Sequence, residues 1–274
     1  MNRLRTYLRE RFPIGPTSAH ALATAALLIG VTSPSSESGR LLAVIGVAVA
    51  FFFFMLRMRV TDEFKDAGHD DANYPNRPVQ RGAIFKRDLV VIGIVSLFLE
   101  LAGVWFAGFA TGNASAWVWY LPILGYSFLT GQEFFVGEFL ERHFNLYFIV
   151  HQAIFALWLV WGFQLFASAL AFGPAVAFFL LMISMEVVRK YEIRRDPSGQ
   201  VVLDTYLAVW GRGAFWVLLV NVVVSSILLS AHWLALAVGG VSVLALLVLR
   251  KNTEAVRAIA AVSFLANSAV VLLS

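Results

Sequence analysis

Nine stretches of almost uninterrupted apolar residues divide the chain, at 17–33, 41–58, 89–110, 115–131, 146–167, 168–188, 207–230, 232–249 and 254–273. Each is near the roughly 20 residues an α-helix needs to cross a bilayer core, so the pattern predicts about nine transmembrane helices. The first and fourth are short, and the fifth and sixth meet at FAS, so eight or ten stay open as counts. The polar residues collect in a few connections. After the second apolar stretch comes TDEFKDAGHDDANYPNRPVQRG, after the fourth GQEFFVGEFLERHFNLYFIVHQ, and after the sixth MEVVRKYEIRRDPSGQVVLDTY. The remaining connections, such as TGNASA, FAS and SAH, are short and nearly uncharged.

Composition agrees with the pattern. Of 274 residues, 59% are hydrophobic and 14% charged, with a mean hydropathy of +0.77, whereas a soluble domain carries about a quarter charged residues. No polar stretch is long enough to fold by itself, so residues 1–274 are expected to form a single all-α integral membrane domain, a bundle of helices. The absence of cysteine excludes disulfides, thiolate nucleophiles and thiolate metal sites. The basic opening MNRLRTYLRERF precedes an apolar run without a clear small-residue cleavage signal, and reads as a retained signal-anchor.

Charge orients the bundle. Arg40 alone of the 21 basic residues falls in an odd-numbered connection, and positive loops stay on the cytoplasmic side. The N-terminus, the three long connections and the active site are therefore expected at the cytoplasmic face, with a bacterial inner membrane as the expected location. No nucleic-acid motif, heptad or solenoid repeat is present.

Five of the 17 acidic residues, Asp62, Glu63, Asp66, Asp70 and Asp71, fall within ten positions at the end of the second apolar stretch. Asp62, Asp66 and Asp70 are spaced i, i+4, i+8, which on a helix lines three carboxylates along one face at steps of about 6 Å. Like charges at that distance repel by about 0.7 kcal/mol in water and about 3 kcal/mol at an effective dielectric near 20. Such a ladder attracts a cation. Hard oxygen ligands suit Mg²⁺, which bridges one or two carboxylates to substrate phosphates, and Lys65, Arg77 and Arg81 in the same segment can take the remaining phosphate charge. A solvated, salt-bridged loop marking the membrane boundary satisfies the same spacing.

The combination of Asp62-xxx-Asp66-xxx-Asp70 with Asn76-Arg77-Pro78-Val79-Gln80-Arg81-Gly82 resembles the first signature of the UbiA superfamily of integral membrane prenyltransferases. The alternative register would put Met58 in a ligand position, where it offers nothing to metal or phosphate, so the all-polar register is adopted. Nine helices with long loops after the second and sixth match the family's layout over nearly the whole chain. The resemblance implies Mg²⁺ held by Asp62, Asp66 and Asp70, and a prenyl diphosphate held by Lys65, Arg77 and Arg81. It also implies transfer of the isoprenyl group to a hydrophobic acceptor, aromatic or lipid. Some relatives cyclise terpenes or transfer phosphoribosyl groups to polyprenyl phosphates.

The family's second signature, usually two Asp four apart, departs here. The i, i+4, i+8 positions are Glu186, Lys190 and Arg194. Either Lys190 replaces a second metal as a fixed charge, aided by Arg194 while Glu186 and Asp204 keep some metal contact, or the second metal site is lost. A helix-end pair Glu186–Lys190 is compatible with both.

Three further features have two readings each. The fourth connection is either a flap over the site or an interfacial helix, with Glu133 its best candidate for a base or acceptor contact. Glu100, near the middle of the third apolar stretch, is either a cavity acid or a buried packing residue. His151, Asn221 and Asn267 are expected as interhelical hydrogen-bonding groups. The 24 Phe, 8 Trp and 7 Tyr either line an isoprenoid tunnel or pack and face lipid. A membrane transporter of divalent cations or small solutes is the competing class, for which ligands near the bilayer midplane are expected.

Overall fold

The computed structural model describes residues 3–33, 39–169, 171–230 and 233–273. In chain order it contains α1 (Arg3–Arg11), α2 (Ile14–Thr32), α3 (Arg40–Lys65), α4 (Ala67–Asn73), α5 (Lys86–Ala110) and a 3₁₀ helix (Ala114–Tyr120) running into α6 (Leu121–Gly131). A tight turn (Glu133–Phe135) leads to α7 (Gly137–Arg142), α8 (Phe144–Gln152), α9 (Ile154–Leu165) and α10 (Phe172–Arg189). The antiparallel strands β1 (Arg194–Arg195) and β2 (Val201–Val202) follow, then α11 (Tyr206–Trp210), α12 (Arg212–Leu228), α13 (Trp233–Leu249) and α14 (Thr253–Leu273). Of the predicted SAH connection, residues 231–232 lie outside the described residues, as does the first residue of the predicted eighth stretch.

The chain is an integral membrane protein built of helices. Among the described residues six segments are long and apolar enough to cross a membrane: α2, α3, α5, the run α8–α9, α10 and α14. The apolar helices α12 and α13 are shorter. The fourth predicted stretch is divided between the 3₁₀ helix and α6, where Pro122 sits in the first turn, a position at which its missing N–H is harmless. Val91, Ile94, Phe98, Trp105 and Phe109 on α5 are exposed, as lipid-facing side chains must be.

The helices pack as two compact units. The first comprises Met1–Ala25 and Glu37–Ala167. Its centre is the pairing of α3 with α5, which small residues bring together: a Cβ on Gly46 would lie 2.7 Å from the backbone nitrogen of Ala107, and one on Gly103 would lie 2.6 Å from that of Ala50. Small residues one turn apart on both helices let the backbones touch, and this contact replaces the hydrophobic driving force that lipid does not supply. Beside them Phe51, Phe54, Tyr120, Trp158 and Trp161 pack edge to face, with centroid separations from 5.1 to 5.5 Å, and Trp161 Nε1 donates to the Ala116 carbonyl at 3.1 Å. These aromatic rings pack against one another. The helix α1 is tied down by Tyr7, fully buried against Val60, Ile84 and Leu89.

The second unit comprises Ala26–Ser36 and Ser168–Ser274. Here α12 lies between α10 and α13, and α14 contacts both α10 and α13. A Cβ on Gly239 of α13 would fall 2.2 Å from Ser226 Oγ of α12, so these helices also meet through a missing side chain. The expected interhelical polar contacts are corrected in part. Asn267 Nδ2 donates to the Ser263 carbonyl one turn back in its own helix at 2.9 Å, and in the first unit His151 Nδ1 lies 2.8 Å from the Tyr147 carbonyl. A carbonyl one turn back is always within reach on a helix. Asn221 Nδ2 is buried without a hydrogen-bond partner among the described residues.

Candidate functional site

The acidic segment does not form one unbroken helix. The helix α3 ends at Lys65 and α4 begins at Ala67, with Asp66 between them at φ −89°, ψ 10°. The backbone bonds Asp66 N–H to Asp62 and Asp70 N–H to Asp66 persist at 2.8 Å each, so the break is a kink rather than a gap. Asp66 and Gly68 are poor helix formers, and a three-acid stack gains nothing from a straight axis.

The three predicted metal carboxylates have different partners. Asp62 and Asp66 surround Lys65, whose Nζ lies 3.8 Å from Asp62 Oδ1 and 3.6 Å from Asp66 Oδ1. Glu133 joins them, with Oε1 3.6 Å from the same Nζ, and Lys65 donates a hydrogen bond to Tyr147 Oη at 3.1 Å. Asp70 is 2% exposed. It pairs with Arg77 and lies 3.7 Å from Arg11.

Around Asp70 runs a second set of ion pairs that anchors α1. Arg11 Nε donates to the buried Glu63 Oε1 at 2.7 Å, and Arg59 approaches both Glu63, at 3.6 Å, and Asp62, at 3.7 Å. Arg77 lies over the Tyr74 ring, 3.7 Å from its centroid. Arg81 binds Glu10 at 2.8 Å and the Asn76 carbonyl at 2.5 Å. The hydrogen bond from Arg81 holds the Glu10 carboxyl below its ordinary range.

Glu133 reaches Lys65 because the backbone there is forced into an unusual shape. Glu133, Phe134 and Phe135 all have left-handed φ values, 47°, 54° and 61°, a conformation L-residues avoid at a cost of roughly 1–2 kcal/mol each. Neighbours hold the turn: Phe134 packs edge to face on Tyr126 at 5.3 Å, and Gly137 leaves room for the acid, since a Cβ there would lie 2.1 Å from Glu133 Oε2. The fourth connection is therefore not one long amphipathic helix. It is a strained turn followed by the short helices α7 and α8.

Glu100 is fully buried and fully engaged. Arg57 donates to it twice, at 2.6 and 2.8 Å, and Tyr120 Oη donates at 2.8 Å. Arg57 Nη1 also donates to Ser127 Oγ at 3.0 Å. This arrangement matches the packing-residue reading, since a carboxylate with three donors is a poor base.

In the second unit, the helical face expected for Glu186, Lys190 and Arg194 is corrected. The helix α10 stops at Arg189, Lys190 is its cap, and Arg194 lies in β1. Pro197 and Gly199 turn the hairpin, and Asp196 accepts hydrogen bonds from Ser198 Oγ at 2.7 Å and Gln200 N–H at 2.9 Å. Glu186 accepts from Arg189 at 2.8 and 2.7 Å and from Tyr206 Oη at 2.8 Å. Lys190 Nζ lies 6.0 Å from the centre of the Tyr206 ring. Arg194 donates to Glu192 at 2.6 Å and to Asp204 at 3.4 Å.

Among the described residues no group of three His, Asp or Glu side chains is arranged to enclose a metal. The donor set nevertheless fits magnesium in one mode. Asp62 and Asp66 are partly exposed carboxylates one turn apart, and Mg²⁺ is commonly held by one or two carboxylates with waters and substrate phosphates completing its shell.

Sequence reasoning missed Arg11, Glu63 and Tyr147. Glu63 stood in the acidic run, but nothing local marks Tyr147, 82 residues from Lys65.

No protein-family model matches the chain, and no curated protein matches it. Among solved structures the chain is similar to a digeranylgeranylglyceryl phosphate synthase in membranes, with a TM-score of 0.52 and 15% identity over 98% of this chain and 99% of that one. The likeness shows the fold: the chain shares the helical membrane fold of that protein.

Proposed function

We propose that the chain is a membrane prenyltransferase that moves an isoprenyl group from a prenyl diphosphate to a hydrophobic acceptor, with Mg²⁺ as cofactor. The observation that carries this reading is the pair Asp62 and Asp66 beside Lys65, in a chain whose fold is similar to that of a digeranylgeranylglyceryl phosphate synthase. Asp62 and Asp66 would hold the magnesium, which supplies positive charge to the departing diphosphate. Lys65, Arg77 and Arg81 take up the diphosphate's remaining charge as the allylic C–O bond breaks. Asp70 fixes Arg77 and Arg11 in place. In the second unit Lys190 and Arg194 are proposed as further anion-binding groups. The nine apolar stretches are proposed to cross the membrane with the N-terminus on the cytoplasmic side, as the basic residues favour.

The acceptor is proposed to be aromatic or lipid. Glycerophosphate lipids are the first to try, because a similar solved structure is that of a digeranylgeranylglyceryl phosphate synthase. A transporter is disfavoured by Glu100: the buried acid is closed off by Arg57 and Tyr120 rather than open to a passing ion.

The test is the melting temperature of the detergent-purified protein with farnesyl or geranylgeranyl diphosphate, with and without Mg²⁺, in wild type, Asp66→Asn and Asp70→Asn. The expected result is a Mg²⁺-dependent rise with diphosphate that Asp66→Asn abolishes without lowering the ligand-free melting point much. Asp70→Asn should lower the ligand-free melting point itself, because it takes the buried carboxylate away from Arg77 and weakens the set of ion pairs around Arg11. A divalent-metal shift with no diphosphate response would overturn the reading in favour of transport.

A further inference from the structure

We propose that Lys65 is a built-in counter-cation for the acidic site, which keeps bare metal out and gives way only when metal arrives together with a diphosphate. The inference rests on the diphosphate reading above and adds to it an order of binding. Lys65 is nine-tenths buried, and its ammonium sits among Asp62, Asp66 and Glu133 at 3.6 to 3.8 Å. Those distances are longer than the 2.7–2.9 Å of charge-assisted hydrogen bonds. Among the described residues its close contact is with the neutral Tyr147 hydroxyl, at 3.1 Å. The Lys65 ammonium is thus shared among three carboxylates and clamped by none, while Arg59 also faces Asp62 at 3.7 Å.

This geometry suits exchange. A lysine is a compact charge on a flexible stem of four carbons, so a small rotation carries it away from the acids without unfolding the helix end. A divalent cation bound by Asp62 and Asp66 would stand beside the ammonium and be repelled by it. A diphosphate brings enough negative charge to satisfy both cations, so each ligand should raise the affinity for the other by the same factor.

The position of Glu133 strengthens the case. The chain maintains three successive left-handed residues and leaves Gly137 without a side chain where a Cβ would lie 2.1 Å from Glu133 Oε2, and the outcome is a third carboxylate against Lys65. Strain of this kind persists only where surrounding contacts enforce it. We assign Glu133 the role of positioning Lys65 in the ligand-free state; it is not required to touch substrate.

The experiment titrates Mn²⁺ alone into detergent-purified wild type and Lys65→Met, reading bound metal by electron paramagnetic resonance. Melting temperatures with Mg²⁺ plus farnesyl diphosphate are measured in parallel. Removing the internal cation should tighten Mn²⁺ binding about tenfold, within the range usual for coupled ligands, and should shrink the advantage that diphosphate confers. Unchanged or weaker Mn²⁺ binding in Lys65→Met overturns the proposal. Should that variant not fold, Tyr147→Phe, which removes the hydroxyl but keeps all three carboxylates, should shift Mn²⁺ affinity in the same direction by a smaller factor, and no shift there overturns it equally. A wild type that gains nothing from diphosphate, alongside a Lys65→Met that binds Mn²⁺ more tightly, overturns the diphosphate reading and leaves Lys65 as the acids' counter-cation.

Discussion

Arg57 on α3 grips Glu100 on α5 through two parallel hydrogen bonds, Nε to Oε2 at 2.6 Å and Nη2 to Oε1 at 2.8 Å. Tyr120 and Ser127 supply the outer contacts, so a charge pair is carried inside an apolar bundle with its polar atoms engaged. The pair sits on the same two helices that Gly46, Ala50, Gly103 and Ala107 press together. It therefore fixes their relative register as well as their separation.

Breaking that pair from one side should be far worse than removing it. Glu100→Ala leaves a buried guanidinium without its carboxylate and should destabilise the protein by about 3–5 kcal/mol. The double replacement Arg57→Met with Glu100→Met should recover most of the loss, because a well-packed apolar pair of similar volume often matches a buried ion pair. Chemical denaturation in one detergent, compared across the three proteins, decides the matter; a double variant as unstable as the single one would refute the argument.

The left-handed turn at 133–135 makes opposite forecasts for two neighbouring positions. Phe135 is exposed and has φ 61°, so Phe135→Gly relieves backbone strain while losing little packing and should stabilise by about 1 kcal/mol. Gly137→Ala inserts a Cβ where Glu133 Oε2 now lies, so it should lower the melting temperature. Fluorescence-detected melting of both variants checks the pair of signs.

The contact between Glu10 and Arg81 should show in acid. The hydrogen bond from Arg81 lowers the folded-state pKa of Glu10, so its contribution is complete above the ordinary glutamate range and is lost as pH falls through the depressed folded value. In Arg81→Gln that contribution is absent at every pH. Wild-type melting temperature should consequently fall more steeply than the variant's from about pH 5 to about pH 3, and parallel curves would argue against the contact.

The helical segments and the acidic connection were legible because they are local properties. A run of apolar residues demands a helix in lipid whatever its neighbours do, and α3, α5, α10 and α14 lie where hydropathy put them. Asp62, Lys65 and Asp66 were recognisable as one group because a single helical turn brings them together. The helical face drawn through Arg194 was not legible correctly, since periodicity alone does not register the hairpin around Pro197 and Gly199, nor does it register the kink at Asp66.

By itself, then, the sequence determined the membrane class, the approximate helical segments and the charged ends at which chemistry can occur. Tertiary structure alone decided which polar groups meet: Glu100 with Arg57 across 43 residues, Glu63 with Arg11 across 52, and Lys65 with Tyr147 across 82. Hydropathy is summed along a chain, and any window of it can be read locally. An ion pair depends on where two helices come to rest against each other, a property of packing that neither segment holds alone.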